Sequence, residues 1–196
     1  MRTEVATKRI SLIFAIIFTI GNPFLGYFTL GFAGTLFSFA FVGGLIVWVL
    51  TTYRTPVDPQ KFIFPYLVSV ILFLVLVYEE YLTHIEVLFS KLAGSPVTQT
   101  DFLTIAAFAA PIVWLLGAAL TVKRWPLGYF FASSFLIAMM IGMPTHLLFP
   151  FLENGTFHYA SGMYTFIFPV VGGWYTFILI MRERKKILTA QKEGKK

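Results

Sequence analysis

The chain contains no cysteine, which excludes disulfide bonds, thiolate metal ligands and a cysteine nucleophile. Charge is also scarce, because Asp, Glu, Lys and Arg together make up only 12% of the 196 residues, roughly half their share in soluble domains. A water-soluble domain of this length would not hide the 58% of its residues that are hydrophobic. The composition therefore predicts an integral membrane protein.

Uncharged stretches long enough for membrane helices lie between the few charged positions. A helix needs about 20 residues to cross the bilayer core. The stretches predict six spans, at about 10–30, 35–53, 62–80, 102–122, 125–148 and 159–181. The first stretch holds two helices, with the bend expected near Gly31–Gly34 and Asn22-Pro23 as the alternative. We expect an all-α transmembrane bundle forming one integral membrane domain over residues 1–196.

Basic residues fall on one side of this bundle. With six spans, every lysine and arginine except Lys91 lies on the side of the two termini, including the basic tail at 182–196. Lysine and arginine are enriched in cytoplasmic loops, so both termini are expected in the cytoplasm. The net charge of +6 then reflects topology and contact with membrane lipid, and nucleic acid is not an expected partner.

Acidic and imidazole side chains gather at the opposite, extracytoplasmic boundary. Ionisable groups near lipid are costly and mark functional sites, and histidine beside carboxylate suits either acid–base chemistry or metal binding. The candidate catalytic residues are Glu79, Glu80, His84, His146, Glu153 and His158. The candidate metal ligands are His84, His146, His158 and Glu80, with a divalent metal ion as the candidate cofactor.

Spacing suggests how these residues meet. If the third helix continues past its span, Glu80 and His84 lie four residues apart on one face. The Asn154-Gly155 turn reverses the chain and brings His146 and His158 to a similar depth. The outer ends of the third, fifth and sixth helices are therefore expected to converge, with Glu80 or His84 in reach of one of the later histidines.

These features favour a membrane-embedded enzyme that acts on a lipid, isoprenoid or similarly apolar small molecule. Neither an HExxH metalloprotease motif nor the histidine clusters of membrane desaturases are present. The alternatives are a transporter or a protein that handles metal ions or protons, and a non-catalytic membrane subunit. The centres of the predicted spans carry no ionisable residue, which argues against an ion path through the monomer.

Two membrane families were compared with the chain, and neither supplies a complete motif. Glu79-Glu80 resembles the start of the EExxxR motif of the CAAX-type proteases, but His84 stands where arginine belongs. The last four spans are similar in helix length and basic tail to the emopamil-binding and sterol-isomerase group, without the glutamate expected in the second of those helices. That resemblance implies architecture only.

Overall fold

The computed structural model describes the backbone of residues 2–94 and 96–194, and their side chains except at positions 2–4, 30, 32, 33, 36, 153 and 154. The described chain is all-α, as predicted. Its seven helices are α1 (Val5–Thr29), α2 (Phe37–Leu50), α3 (Ile63–Leu82), α4 (Ile85–Ala93), α5 (Gln99–Val122), α6 (Pro126–Leu152) and α7 (Ile167–Glu193).

Helices α1 and α2 form a hairpin whose bend lies at Gly31. The φ of Gly31 is +60°, in the left-handed region that favours glycine. Asn22 Nδ2 lies 2.9 Å from Ser38 Oγ, although a straight helix would separate these residues by about 24 Å. A Cβ at Gly26 would sit 2.4 Å from the carbonyl oxygen of Gly34. The bend predicted near residues 31–34 is thus confirmed, and the earlier proline alternative is not the turn.

Four of the described helices, α1, α3, α5 and α6, are long and apolar enough to cross a membrane. Helix α2 is apolar but shorter, and the second half of α7 carries the basic sequence. By helix length and composition the chain is therefore a multi-pass membrane protein. The count of six spans and the cytoplasmic location of both termini stay predictions.

The last helix departs from the predicted span at both ends. It begins at Ile167 instead of about residue 159, and it continues to Glu193 through the residues expected as a tail. The delay arises because the preceding segment is a loop that turns at Gly162, whose φ is +82°. The extension follows from the lysine, arginine and glutamate content of the tail, since these residues are good helix formers.

Helix α6 occupies the centre of the bundle, and all residues from Gly128 to Leu136 are buried. The α1–α2 hairpin and α5 pack against it, while α3 pairs with α7. Aromatic rings fill the space between these helices. Phe41 stacks on Trp114 with ring centroids 5.4 Å apart, and Phe135 meets Tyr66 edge-on at 5.1 Å.

Helices α5 and α6 change their winding where proline interrupts the backbone hydrogen bonds. Pro111 has no N–H for the carbonyl four residues before it, and the backbone over Thr104–Ala109 is widened into a π-helical turn. Pro144 likewise follows a π-helical turn at Ala138–Gly142, after which Met143–Leu148 tighten into a 3₁₀ helix. Such turns are common at functional sites.

Candidate functional site

Glu79 and Glu80 lie near the end of α3 and face different surroundings. Consecutive residues on an α-helix are about 100° apart around its axis. Glu80 is turned into the bundle and is only 6% exposed, whereas Glu79 faces the loop before α7. Two adjacent carboxylates are thereby given separate partners.

His146 is the partner of Glu80. The 3₁₀ winding after Pro144 places the His146 ring inside the bundle, where it is 2% exposed. Its Nε2 lies 2.8 Å from Glu80 Oε1, and its Nδ1–H donates to the carbonyl oxygen of Met143 at 2.7 Å. The convergence expected for the third and fifth spans is present at this contact.

The hydrogen bonds of this pair fix the position of one proton and limit a second proton to two positions. A carbonyl oxygen can only accept, so the hydrogen on Nδ1 belongs to the bond with Met143. One further proton is then held between His146 Nε2 and Glu80 Oε1. It either sits on the carboxyl group, which donates to a neutral ring, or on the ring, which donates to a carboxylate. Both forms avoid an unpaired buried charge, and both leave one exchangeable proton at the contact.

The loop before α7 covers the outer side of the histidine. The Phe166 ring stacks on the His146 ring at 5.9 Å with an interplanar angle of 6°. Gly162 lies against the same ring, since a Cβ there would be 2.5 Å from Cδ2. Thr83 and Ser161 share a hydrogen bond of 2.5 Å that joins this loop to the end of α3. The pair is therefore shielded from the outer surface.

Glu79 holds this loop by accepting several hydrogen bonds. Its Oε2 accepts from the backbone N–H and the hydroxyl of Thr165 at 2.8 and 2.5 Å. Its Oε1 accepts from the Tyr159 hydroxyl at 2.7 Å and from the Tyr164 N–H at 3.1 Å. The carboxylate thus fastens the first turn of the segment leading into α7. We expected a catalytic role for Glu79, and its contacts are those of a structural clamp.

His84 lies apart from the buried pair. The expected continuation of the third helix to His84 is wrong, because α3 ends at Leu82 and His84 takes a left-handed conformation with φ of +59°. Glu80 and His84 consequently do not share a helix face. The His84 side chain is 66% exposed, and its Nδ1 lies 2.9 Å from Glu86 Oε1.

His158, whose ring has a partner in its own loop, is not part of the Glu80–His146 contact. The Nδ1–H of His158 donates to the carbonyl oxygen of Thr156 at 2.9 Å. The prediction for Glu153 concerns a side chain outside the described part. Among the side chains that the structure describes, no three of His, Asp and Glu group closely enough to hold a metal ion. The predicted ligand set of His84, His146, His158 and Glu80 therefore receives no support.

An apolar cavity of about 270 Å³ begins at the Glu80–His146 pair. It extends between the hairpin, α3, α5 and α6, and both π-helical turns contribute to its wall. Along α5 it reaches from Phe102 to Trp114, a length of about 18 Å. Its lining is mostly aromatic and aliphatic, which is typical of sites for small apolar molecules.

The hairpin adds a polar group, Asn22, at a position that the sequence marks only as a possible bend. Asn22 lines the cavity, and its amide Nδ2–H donates to Ser38 Oγ at 2.9 Å. Ser38 is 3% exposed and lines the same cavity. A polar residue near the middle of an apolar helix is the signal that points to such a site.

No known protein family, no curated protein and no solved structure matches this chain. The site is therefore interpreted from its own geometry. It comprises a buried acid–histidine pair with one exchangeable proton, at the end of an apolar cavity in a helix bundle. Groups of this type can donate a proton to a bound molecule and remove one from it.

Proposed function

We propose that this multi-pass membrane protein is an enzyme that performs acid–base chemistry on an apolar small molecule bound within its helix bundle. The observation that carries the proposal is the Glu80–His146 contact of 2.8 Å, whose two side chains both line the apolar cavity. Acidic and imidazole side chains that meet at a cavity are candidates for general acid–base catalysis. Glu80 and His146 act as the proton donor and acceptor.

The proposed topology has six spans and both termini in the cytoplasm. Contacts at the basic end of the bundle support it. Arg124, after α5, lies 3.2 Å from Asp58 in the loop before α3. Arg184 in α7 donates to the carbonyl oxygen of Leu50 at the end of α2, also at 3.2 Å. These contacts gather three basic segments at one end, opposite the Glu80–His146 pair, as the distribution of lysine and arginine requires.

The cavity also favours an apolar substrate over the transporter alternative. An ion path needs polar or charged groups along its length, and the only ionisable residues among those described in the lining are Glu80 and His146. A substrate with a hydrocarbon skeleton gains from burial against the aromatic and aliphatic wall. Membrane lipid is the natural source of such molecules.

The test compares purified protein with two variants and two matched controls. Wild-type protein in nanodiscs is incubated with lipids extracted from the expression host, and mass spectrometry measures which extracted lipids are depleted or formed. Glu80→Gln and His146→Gln should abolish the conversion, because each removes one of the two side chains that share the proton. Glu183→Gln and His158→Gln make the same chemical changes away from the cavity and should retain it.

Two results would contradict the proposal. If Glu80→Gln and His146→Gln convert lipid as fast as Glu183→Gln, the buried pair has no catalytic role. If His158→Gln alone abolishes conversion, the site lies in the outer loop and not at the cavity.

A further inference from the structure

Asn22 is the one neutral amide among the described residues that line the cavity, and its side chain also joins the two helices of the hairpin through Ser38. The two helices already touch through backbone at Gly26 and Gly34. Ser38 Oγ can also satisfy its own hydrogen through the Gly34 carbonyl at 2.9 Å. A leucine would fill the position of Asn22 at lower cost in an apolar environment.

The hydrogen bond to Ser38 uses the amide nitrogen of Asn22 and leaves the amide oxygen without a partner among the described residues. The amide Nδ2–H donates to Ser38 Oγ, and no hydrogen bond among the described residues reaches the amide oxygen of Asn22. An amide oxygen is an acceptor with two lone pairs. A group that meets it from the cavity must therefore be a hydrogen-bond donor, and a hydroxyl is the donor that an apolar molecule carries at least cost.

The charge of the lining limits the ligand further. Among its described residues there is no lysine or arginine, so a carboxylate or phosphate on the ligand would be buried without a cation. Burying an unpaired charge is far more costly than burying a hydroxyl. The cavity therefore selects neutral molecules and rejects fatty acids and diphosphates.

The volume limits how much of the ligand the cavity encloses. A cavity of about 150 Å³ holds one benzene ring. By the same proportion the 270 Å³ cavity holds about ten carbon atoms. The cavity is partly open to its surroundings, so this number applies to the part of the ligand that lies inside it.

We infer that Asn22, held by Ser38, is a subsite for the hydroxyl group of a neutral apolar alcohol, about ten carbon atoms of which lie inside the cavity. The inference rests on the proposed function in using the same cavity, and it adds the substrate class. The hydroxyl docks at Asn22 by donating to the amide oxygen, and the hydrocarbon part lies along the wall, where a carbon–carbon double bond beside Glu80 and His146 is the group that can take up their proton.

The experiment measures competition against a ten-carbon alcohol that carries a photoreactive diazirine at the far end of its chain. Wild-type protein in nanodiscs is labelled by light in the presence of decan-1-ol, decane or decanoic acid. One hydrogen bond predicts that decan-1-ol competes about fivefold better than decane, and decanoic acid should be the weakest competitor. Comparing variants in the same nanodiscs cancels the partitioning of each competitor into lipid.

Four proteins distinguish the subsite from the rest of the site. Asn22→Leu should reduce the ratio between decan-1-ol and decane to about one, and Ser38→Ala, which frees the amide, should lower it in part. Glu80→Gln should keep the ratio. Gln191→Leu, the same type of change in α7 outside the cavity, is the control. Thermal unfolding checks that each variant is folded. If Asn22→Leu is not folded, Ser38→Ala tests the subsite in its place.

Each other outcome overturns a defined part of the argument. Loss of the ratio in Glu80→Gln but not in Asn22→Leu overturns the subsite and leaves the proposed function intact. Decanoic acid competing as well as decan-1-ol overturns the neutral class. Labelling that none of the three competitors reduces in wild-type protein overturns the cavity as a ligand site, and the proposed function with it.

Discussion

Replacing Glu80 by two different residues separates the stability of the buried pair from its chemistry. Glu80→Gln keeps a hydrogen bond, because the glutamine amide can donate to His146 Nε2 when Nδ1 carries the ring hydrogen. Glu80→Leu has a similar volume but no donor, so it leaves Nε2 unpaired at a site that is 2% exposed. Both changes remove the exchangeable proton.

The expected magnitudes follow from that difference. An unpaired buried acceptor costs about 1–3 kcal/mol. For a chain of this length each kcal/mol shifts Tm by about 2–4 °C, so Glu80→Leu should lower Tm by about 2–12 °C. Glu80→Gln should stay within about 2 °C of wild type, since it loses no hydrogen bond. Lipid conversion should be lost in both.

Thermal unfolding in nanodiscs, followed by tryptophan fluorescence, makes the measurement, because Trp48 and Trp114 are buried and report on the core. Glu183→Leu and Glu183→Gln are the matched controls at the other end of the bundle. If Glu80→Gln lowers Tm as far as Glu80→Leu, the assignment of the ring hydrogen to Nδ1 is refuted. An unchanged Tm in Glu80→Leu would mean that the histidine does not depend on this contact.

Three further predictions concern the outer loop and the topology. Glu79→Gln should speed hydrogen exchange over residues 159–166, measured by mass spectrometry, because a neutral amide with one acceptor oxygen replaces the carboxylate that accepts from this loop; unchanged exchange would show that Glu79 does not hold the loop. Gly162→Ala should lower the free energy of unfolding by at least about 1 kcal/mol, which is about 2–4 °C in Tm, since φ is +82° and its Cβ would meet the buried imidazole; a wild-type Tm would contradict that contact. In this cysteine-free chain, Gly155→Cys should react with an impermeant thiol reagent outside intact cells and Thr189→Cys should not, and the reverse pattern would overturn the proposed orientation.

The sequence predicted helices better than it predicted their rotation. An uncharged run too long for one span predicted the hairpin, and the glycine at position 31 marked the bend. Hydropathy, however, does not report which way a helix is turned about its axis. Glu79 and Glu80 are therefore equivalent in sequence, yet one clamps a loop while the other pairs with His146. Only the packing of α3 against its neighbours separates them.

Backbone conformation explains the other differences. A non-glycine residue with positive φ is uncommon. Nothing in the sequence therefore marked His84 as the residue whose left-handed conformation separates α3 from α4. The late start of α7 has a similar origin, because the loop before Ile167 is held by hydrogen bonds from distant residues. The sequence does not indicate Asn22 as a site residue, because Asn-Pro is a common turn signal. In the structure the helix passes through this pair of residues.

The cavity itself has a thermodynamic consequence. An enclosed void costs about 24 cal/mol for each Å³, so 270 Å³ corresponds to at most about 6 kcal/mol if nothing fills it. That is a large part of the 5–15 kcal/mol by which proteins of ordinary stability are folded. Pro111 and Pro144 follow the widened turns of α5 and α6, and residues of both turns line this space. A bundle with such a space is more stable when an apolar molecule fills it, and Glu80 and His146 are among the residues that line the space.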